Sequence, residues 1–129
     1  MSIIIRDDGF HRDDWTGGFD GPDALDLAAD TDPQDLTFDA TTRMIRIDFP
    51  GVADGRGFTL ARLLRLRGYK GRLRACGHVI ADQYAMARRA GFDEVEIDKV
   101  LAERQPEEQW LFRATWQAHD YQARLRGTA

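Results

Sequence analysis

The strongest constraint in this chain is a strand–helix alternation at short spacing between residues 44 and 98. Residues 44–49 are apolar at Met44, Ile45, Ile47 and Phe49, a strand pattern closed by Pro50 and Gly51. Residues 58–67 then place Leu60, Ala61, Leu63 and Leu64 on one helical stripe, with Thr59 as the expected N-cap. Residues 72–80 read as the next strand and residues 81–90 as the next helix. Asp82 stands near the start of that helix and Arg88 and Arg89 near its end, as the helix dipole favours. Gly91 is placed for the left-handed position that closes it, with Phe92 folding back. Residues 94–98, Glu-Val-Glu-Ile-Asp, alternate strictly, the pattern of a half-exposed strand at a sheet edge. Such an order implies parallel pairing with right-handed crossovers. Four strands cannot close an eight-stranded barrel. The expected fold is α/β: a small open parallel sheet of about four strands alternating with helices, half-barrel-like.

An N-terminal β-hairpin precedes it. Residues 2–5 are a short β-branched run, Asp7-Asp8-Gly9 is a turn signal, and residues 10–12 return. Residues 13–23, with Gly17, Gly18, Gly21 and Pro22, read as loop. Residues 25–27 are a short strand candidate. Asp32-Pro33 is an N-cap followed by proline at the first helical position, starting one turn over residues 34–36. A last helical region follows Asp98. Its second part starts at Pro106-Glu107-Glu108 and carries Trp110, Leu111 and Ala114, with Trp116 at its far end. The 129 residues fit a single domain, with residues 1–24 as hairpin and loop and 25–125 as the α/β core. No internal repeat or linker interrupts it.

Composition narrows the class. Hydrophobic residues are 43% and charged residues 31%, a globular balance. No apolar run approaches the ~20 residues of a membrane helix. The start turns acidic after a few apolar residues, unlike a secretion signal. A single cysteine excludes an internal disulfide framework and a cysteine-based zinc finger. The expected setting is the cytoplasm.

The net charge of −4 hides an asymmetry. Residues 1–54 hold 13 acids and 4 arginines, whereas residues 55–129 hold 9 acids and 14 basic residues. From Gly55 to Ala81 there is no acid, while Arg56, Arg62, Arg65, Arg67, Lys70, Arg72 and Arg74 are basic. Such a stretch either faces an anionic ligand or faces the acidic N-terminal segment of its own chain or of a partner subunit. Nucleic acid is the weaker option, because the pI is about 5.3 and no RNP, KH or helix-turn-helix signature is present. Neither nucleic acid nor membrane is an expected partner.

In parallel α/β folds, sites form where strands end and helices begin. That edge collects Asp48 and the loop Asp54-Gly55-Arg56-Gly57 after one strand, and Gly77, His78, Asp82 and Gln83 after the next. Two glycines flanking an arginine before a helix suit an oxyanion such as phosphate, sulfate or sulfite. The competing reading is a tight turn in which Asp54 and Arg56 pair with each other. A dinucleotide fingerprint fails because Leu60 stands where its third glycine belongs. A P-loop fails because the run is Gly55-Arg56-Gly57. Arg74, Cys76 and His78 share one strand face, so Cys76 is either an activated thiolate or a buried inert thiol. His11, His78 and His119 are scattered, so no metal site is expected. Trp110 and Trp116 read as core or interface residues.

Residues 49–97 carry several distinctive motifs. They are Asp48-Phe49-Pro50 at the entry, Asp54-Gly55-Arg56-Gly57, Ala61-Arg62-Leu63-Leu64-Arg65, Gly68-Tyr69 with Gly71, Leu73-Arg74-Ala75, Asp82-Gln83 and Arg89-Ala90-Gly91-Phe92-Asp93. On these the chain resembles a bacterial domain-of-unknown-function family associated with sulfite reduction. Its members are described as oxidoreductases of that pathway. Their genes tend to lie beside those for the sulfite reductase hemoprotein and phosphoadenylyl-sulfate reductase. Tyr121-Gln122 resembles the family's C-terminal pattern, and Asp32-Pro33 matches its upstream part weakly. The resemblance implies a role in sulfate and sulfite assimilation, as an accessory protein docking to one of those reductases. The alternative is a small enzyme or carrier that binds a sulfur oxyanion or an adenylyl-sulfate nucleotide. The chain departs from the family pattern at Cys76, usually aliphatic, and His78, usually aspartate. That leaves Asp54, Arg56, Arg62, Arg74, Asp82 and Gln83, with Gly55 and Gly57, as the candidate anion-binding residues. No redox cofactor is expected in the chain itself. A homodimer pairing the basic helix with the acidic segment is a third possibility.

Overall fold

The computed structural model describes residues 2–114. The expectations for Trp116, His119 and Tyr121-Gln122 fall outside the described residues. Six strands form one sheet in the order β2-β1-β6-β5-β4-β3. They are β1 (Ser2–Arg6), β2 (Gly9–His11), β3 (Ala24–Leu27), β4 (Met44–Phe49), β5 (Arg72–Gly77) and β6 (Glu94–Asp98). The helices are α1 (Arg56–Leu66), α2 (Tyr84–Ala90), α3 (Lys99–Arg104) and α4 (Glu107–Arg113). Strands β3 to β6 are parallel, as the alternation requires. The hairpin does more than precede them. β1 pairs antiparallel with β6, so β1 and β2 extend the same sheet.

Because β3, β4, β5 and β6 follow one another in space, each right-handed crossover returns its helix to the same side. One sheet face therefore collects the apolar residues. Ile5, Ile45, Ile47, Phe49, Leu73, Ala75, Val95 and Ile97 meet Leu60, Ala61 and Leu64 of α1, Tyr84, Ala87 and Ala90 of α2, and Trp110 of α4. Phe49 packs its ring against Phe58 at 4.9 Å and Phe92 at 5.7 Å between centroids.

The opposite face is ionic. Arg46, Arg72, Arg74, Glu94, Glu96 and Arg6 alternate with the core residues, and residues 12–23 lie across them as a strap. This corrects the reading of residues 94–98 as an edge strand. β6 lies between β1 and β5, and Glu94 and Glu96 are 2% and 7% exposed. Strict alternation marks two unlike environments, and here the polar one is a layer of arginines instead of water.

Three boundaries also differ from expectation. The helix after β4 starts at Arg56, not at an N-cap Thr59, because the Asp54 carboxylate accepts the Arg56 backbone N–H at 3.1 Å. The strand from Arg72 stops at Gly77, whose φ of 112° turns the chain out of the sheet. Helix α2 starts at Tyr84, after a 3₁₀ turn over Ala81–Gln83. Asp32 does cap its turn, accepting the Gln34 N–H at 2.9 Å, and α2 ends at left-handed Gly91. No helix among the described residues is long and apolar enough to cross a membrane.

Candidate functional site

The carboxyl edge of the parallel strands carries three loops. One follows β3, one joins β4 to α1, and one joins β5 to α2. The β4–α1 loop holds Asp54-Gly55-Arg56-Gly57. Arg56 donates through Nε at 3.0 Å and Nη2 at 2.6 Å to the Asp54 carboxylate. This guanidinium, and then the Arg56 backbone N–H, hold the Asp54 carboxyl down to about 2. The Asp54–Arg56 pairing weighed from the sequence is thus the resting arrangement. Gly57 has a packing reason: a Cβ there would come within 2.5 Å of the Phe49 ring. Close approach of α1 to β4 requires it. Gly55 meets no such limit.

Gln83 ties two loops together. Its Nε2 donates to the Val52 carbonyl at 2.7 Å, and its Oε1 accepts the Ile80 N–H at 3.1 Å. Arg56 also borders a recess of about 390 Å³ with Ala29, Asp30, Thr31, Asp32, Pro33, Thr59 and Leu60. The carboxylates of Asp30 and Asp32 border it too, so it is mixed in charge. The remaining expected residues are dispersed. Arg62 is exposed on α1. Asp82 is exposed and pairs with Arg113 of α4 at 2.8 Å. Arg74 is fully buried on the ionic face, across the sheet from α1. The eight candidates therefore do not converge: Asp54 to Gly57, Asp82 and Gln83 lie on loops of the carboxyl edge, but Asp82 pairs with Arg113, and Arg62 and Arg74 lie elsewhere.

The basic stretch is largely used within the chain. Arg65 donates to the carbonyls of Tyr69, Gly71 and Gly91 at 2.9–3.0 Å and to Asp93 at 2.9 Å. Arg67 donates to the Pro33 carbonyl at 2.6 Å. Arg72 and Arg74 bind Glu94. Of the two readings of this stretch, facing its own acidic segment describes Arg72 and Arg74, which reach Asp14 and Asp13.

A second recess, of about 340 Å³, opens at the carboxyl ends of β5 and β6. Ser2, Cys76, Gly77, His78, Glu96 and Arg104 are among its lining residues. Ser2 Oγ and Cys76 Sγ both donate to Glu96 Oε2, at 3.2 and 3.6 Å. Burial, then the Glu96 charge, pushes the Cys76 thiol up to about 12. It is a protonated donor at neutral pH and lacks the thiolate that nucleophilic chemistry needs. His78, past the turn at Gly77, is exposed. No group of three or more His, Cys, Asp or Glu among the described residues is arranged to hold a metal ion.

The sequence reading missed Glu94, Glu96, Asp13 and Asp14. A signal for the first two was present: Arg72 and Arg74 alternate on one strand as Glu94 and Glu96 do on the next. Their register, Arg74 opposite Glu94 and Cys76 opposite Glu96, puts opposite charges side by side.

A family model for a bacterial protein of unknown function, DUF934, matches residues 24–129. The match begins at the first residue of β3 and so takes in all four parallel strands. No curated protein and no solved structure matches the chain. Most of the chain lies within the matched segment, and the chain belongs to the DUF934 family.

Proposed function

We propose that this protein is an accessory protein of assimilatory sulfate and sulfite reduction that docks to a reductase of that pathway and performs no redox chemistry alone. The resemblance carried by Asp54-Gly55-Arg56-Gly57, Leu73-Arg74-Ala75 and Asp82-Gln83 supplies the pathway. One observation favours docking over chemistry: the reactive groups at the carboxyl edge are already engaged by partners within the chain. Arg56 binds Asp54, Gln83 clamps two loops, and Cys76 is a protonated thiol.

Deletion of the gene tests the reading. Growth on sulfate is expected to fail, with rescue by sulfide or cysteine; rescue by sulfite places the role before sulfite, and failure on sulfite as well places it at sulfite reduction. Undiminished growth on sulfate overturns it. Purified protein is further expected to bind purified sulfite reductase or phosphoadenylyl-sulfate reductase.

A second reading has one observation in its favour: Arg56 is 58% exposed and borders the recess that contains Thr31 and Thr59. In that reading a sulfur oxyanion or adenylyl-sulfate nucleotide displaces Asp54 from the guanidinium. Calorimetric titration with sulfite, sulfate and adenylyl sulfate decides it. No heat with any of the three removes the reading.

A further inference from the structure

We infer that the strap, residues 12–23, is an intrasteric plug, and that the arginine face beneath it is the docking surface for an acidic, aromatic-bearing segment of a partner protein. This names the surface that the accessory reading requires, and it rests on that reading for who the partner is.

The face has two tiers. In the lower tier, three guanidinia meet on Glu94: Arg6 at 3.2 Å, Arg72 at 2.9 Å and Arg74 at 2.6 Å. Glu96 is shared by Arg74 at 2.8 Å and Arg46 at 3.2 Å, and Asp26 holds the other arm of Arg46 at 2.7 Å. In this ion-paired centre four arginines thus meet three carboxylates, which leaves it positive, while Asp48 and Asp98 lie on the same face towards the carboxyl ends of β4 and β6. In the upper tier, the strap supplies what is missing. Asp13 takes the outward fork of Arg74 at 3.0 and 3.1 Å. Asp14 takes Arg6 at 2.8 Å and Arg72 at 2.9 Å. Phe19 lies 3.8 Å from the Arg46 guanidinium and Trp15 lies 5.9 Å from that of Arg72, both cation–π contacts.

The tiers differ in how firmly they are held. The side chains of Arg74 and Glu94 are at most 2% exposed, so separating them strands a desolvated charge. Asp13 and Asp14 are 36% and 55% exposed, and ion pairs so open to water contribute little. The upper tier can therefore be exchanged while the lower one stays. Exchange is favoured over simple lifting: Glu94 and Glu96 keep Nε and Nη1 of Arg74, but its outward Nη2 keeps a carboxylate partner only if another acidic segment takes the place of Asp13.

Size sets the kind of ligand. From Arg6 on β1 to Arg46 on β4 the face crosses three strand spacings, about 14 Å. One oxyanion cannot reach across that distance. The strap does so with residues 13–19, adjacent carboxylates followed by rings, and a partner segment of that chemistry fits the same face. Arg46, Arg72, Arg74, Glu94 and Glu96 lie inside the segment matched by the family model, and the plug lies before it.

The test supplies the plug in trans. A fluorescein-labelled peptide of residues 13–20, Asp-Asp-Trp-Thr-Gly-Gly-Phe-Asp, is titrated into the full chain and followed by anisotropy. In the wild type the tethered copy competes at millimolar effective concentration, so binding is weak. In the variant carrying Asp13→Asn and Asp14→Asn, the peptide is expected to bind at least tenfold tighter. Binding should weaken with salt and fall about tenfold on adding Arg72→Ala. A second variant, Trp15→Ala with Phe19→Ala, keeps both carboxylates on the arginines and serves if the first does not fold. Equal affinity for wild type and either folded variant, or no binding to any, overturns the plug. Peptide binding needs no reductase, so this result and the growth phenotype fail independently.

Discussion

The two faces of one sheet are built by opposite means. On the helical side, Phe49, Ile47 and Leu73 are at most 1% exposed, and cohesion is non-directional burial. On the strap side, Arg74 is equally buried, but every contact is directional and has a named partner. No buried side-chain nitrogen or oxygen among the described residues lacks a partner. The difference follows from connectivity. Right-handed crossovers place α1 and α2 on one side, α3 and α4 follow β6 onto the same core, and the other side is left to a strap. Ile4 and Met44 lie on that face too and are fully buried, so strap and ion pairs cover it together. An apolar face loses stability by the volume removed; an ionic one loses it when a charge is left alone.

The largest effect is expected from Phe49→Ala. The ring fills the space between Phe58, Phe92 and Gly57, and its loss should cost about 3–5 kcal/mol, read from urea unfolding and insensitive to salt. Strong salt dependence would break the contrast between the faces.

Glu94→Gln comes next, at about 3 kcal/mol. The amide keeps the shape and removes the charge that three arginines share. The contrast is sharpened by replacing both partners. Arg74→Met with Glu94→Leu should recover most of that loss, because no unpaired charge then remains buried. A double variant no better than Glu94→Gln would show that the layer is held by packing.

The strap pairs should respond to acid. Burial raises the Asp13 and Asp14 carboxyls, but hydrogen bonds from Arg74 to Asp13, and from Arg72 and Arg6 to Asp14, outweigh it and hold both below the usual range. Their contribution is present above the ordinary carboxyl pKa of about 3.9 and is lost as pH falls through the lowered values. Being partly exposed, they should contribute at most about 1 kcal/mol each. The stability difference between wild type and the Asp13→Asn, Asp14→Asn variant should therefore shrink between pH 5 and pH 2. No difference at any pH would mean that the strap is held by Trp15 and Phe19 alone.

The apolar face was legible because its signal is local: Leu60, Ala61 and Leu64 repeat at helical spacing, and Ile45, Ile47 and Phe49 at strand spacing. The ionic face was not. Glu94-Val95-Glu96 reads the same whether its acids meet water or arginine, and only the register with Arg72 and Arg74 distinguishes them. The carboxyl edge was half legible. Asp54, Arg56 and Gln83 are neighbours there, as loops after adjacent parallel strands must be. Arg74 and Arg62 were lost to it by orientation, since one points through the sheet and the other lies on the solvent side of α1.

Arg56 belongs to neither face, and the smallest change in stability is expected there. Its pair with Asp54 spans two residues, and Arg56 is itself the exposed partner, so Arg56→Ala opens the Asp54 carboxylate to water instead of stranding it. The melting temperature should stay close to that of the wild type. Arg56→Lys should behave likewise in melting, although lysine cannot reproduce the planar fork that grips both Asp54 oxygens. Ligand response divides the possibilities further. If an oxyanion displaces Asp54, Arg56→Ala should weaken binding by about ten- to a hundredfold, and Arg56→Lys by less. If the edge only shapes a docking protein, both variants should leave calorimetric traces as flat as the wild type. A large fall in melting temperature for Arg56→Ala would contradict both readings and make the loop a structural clamp, coupled through Val52 and Gln83 to the start of α2.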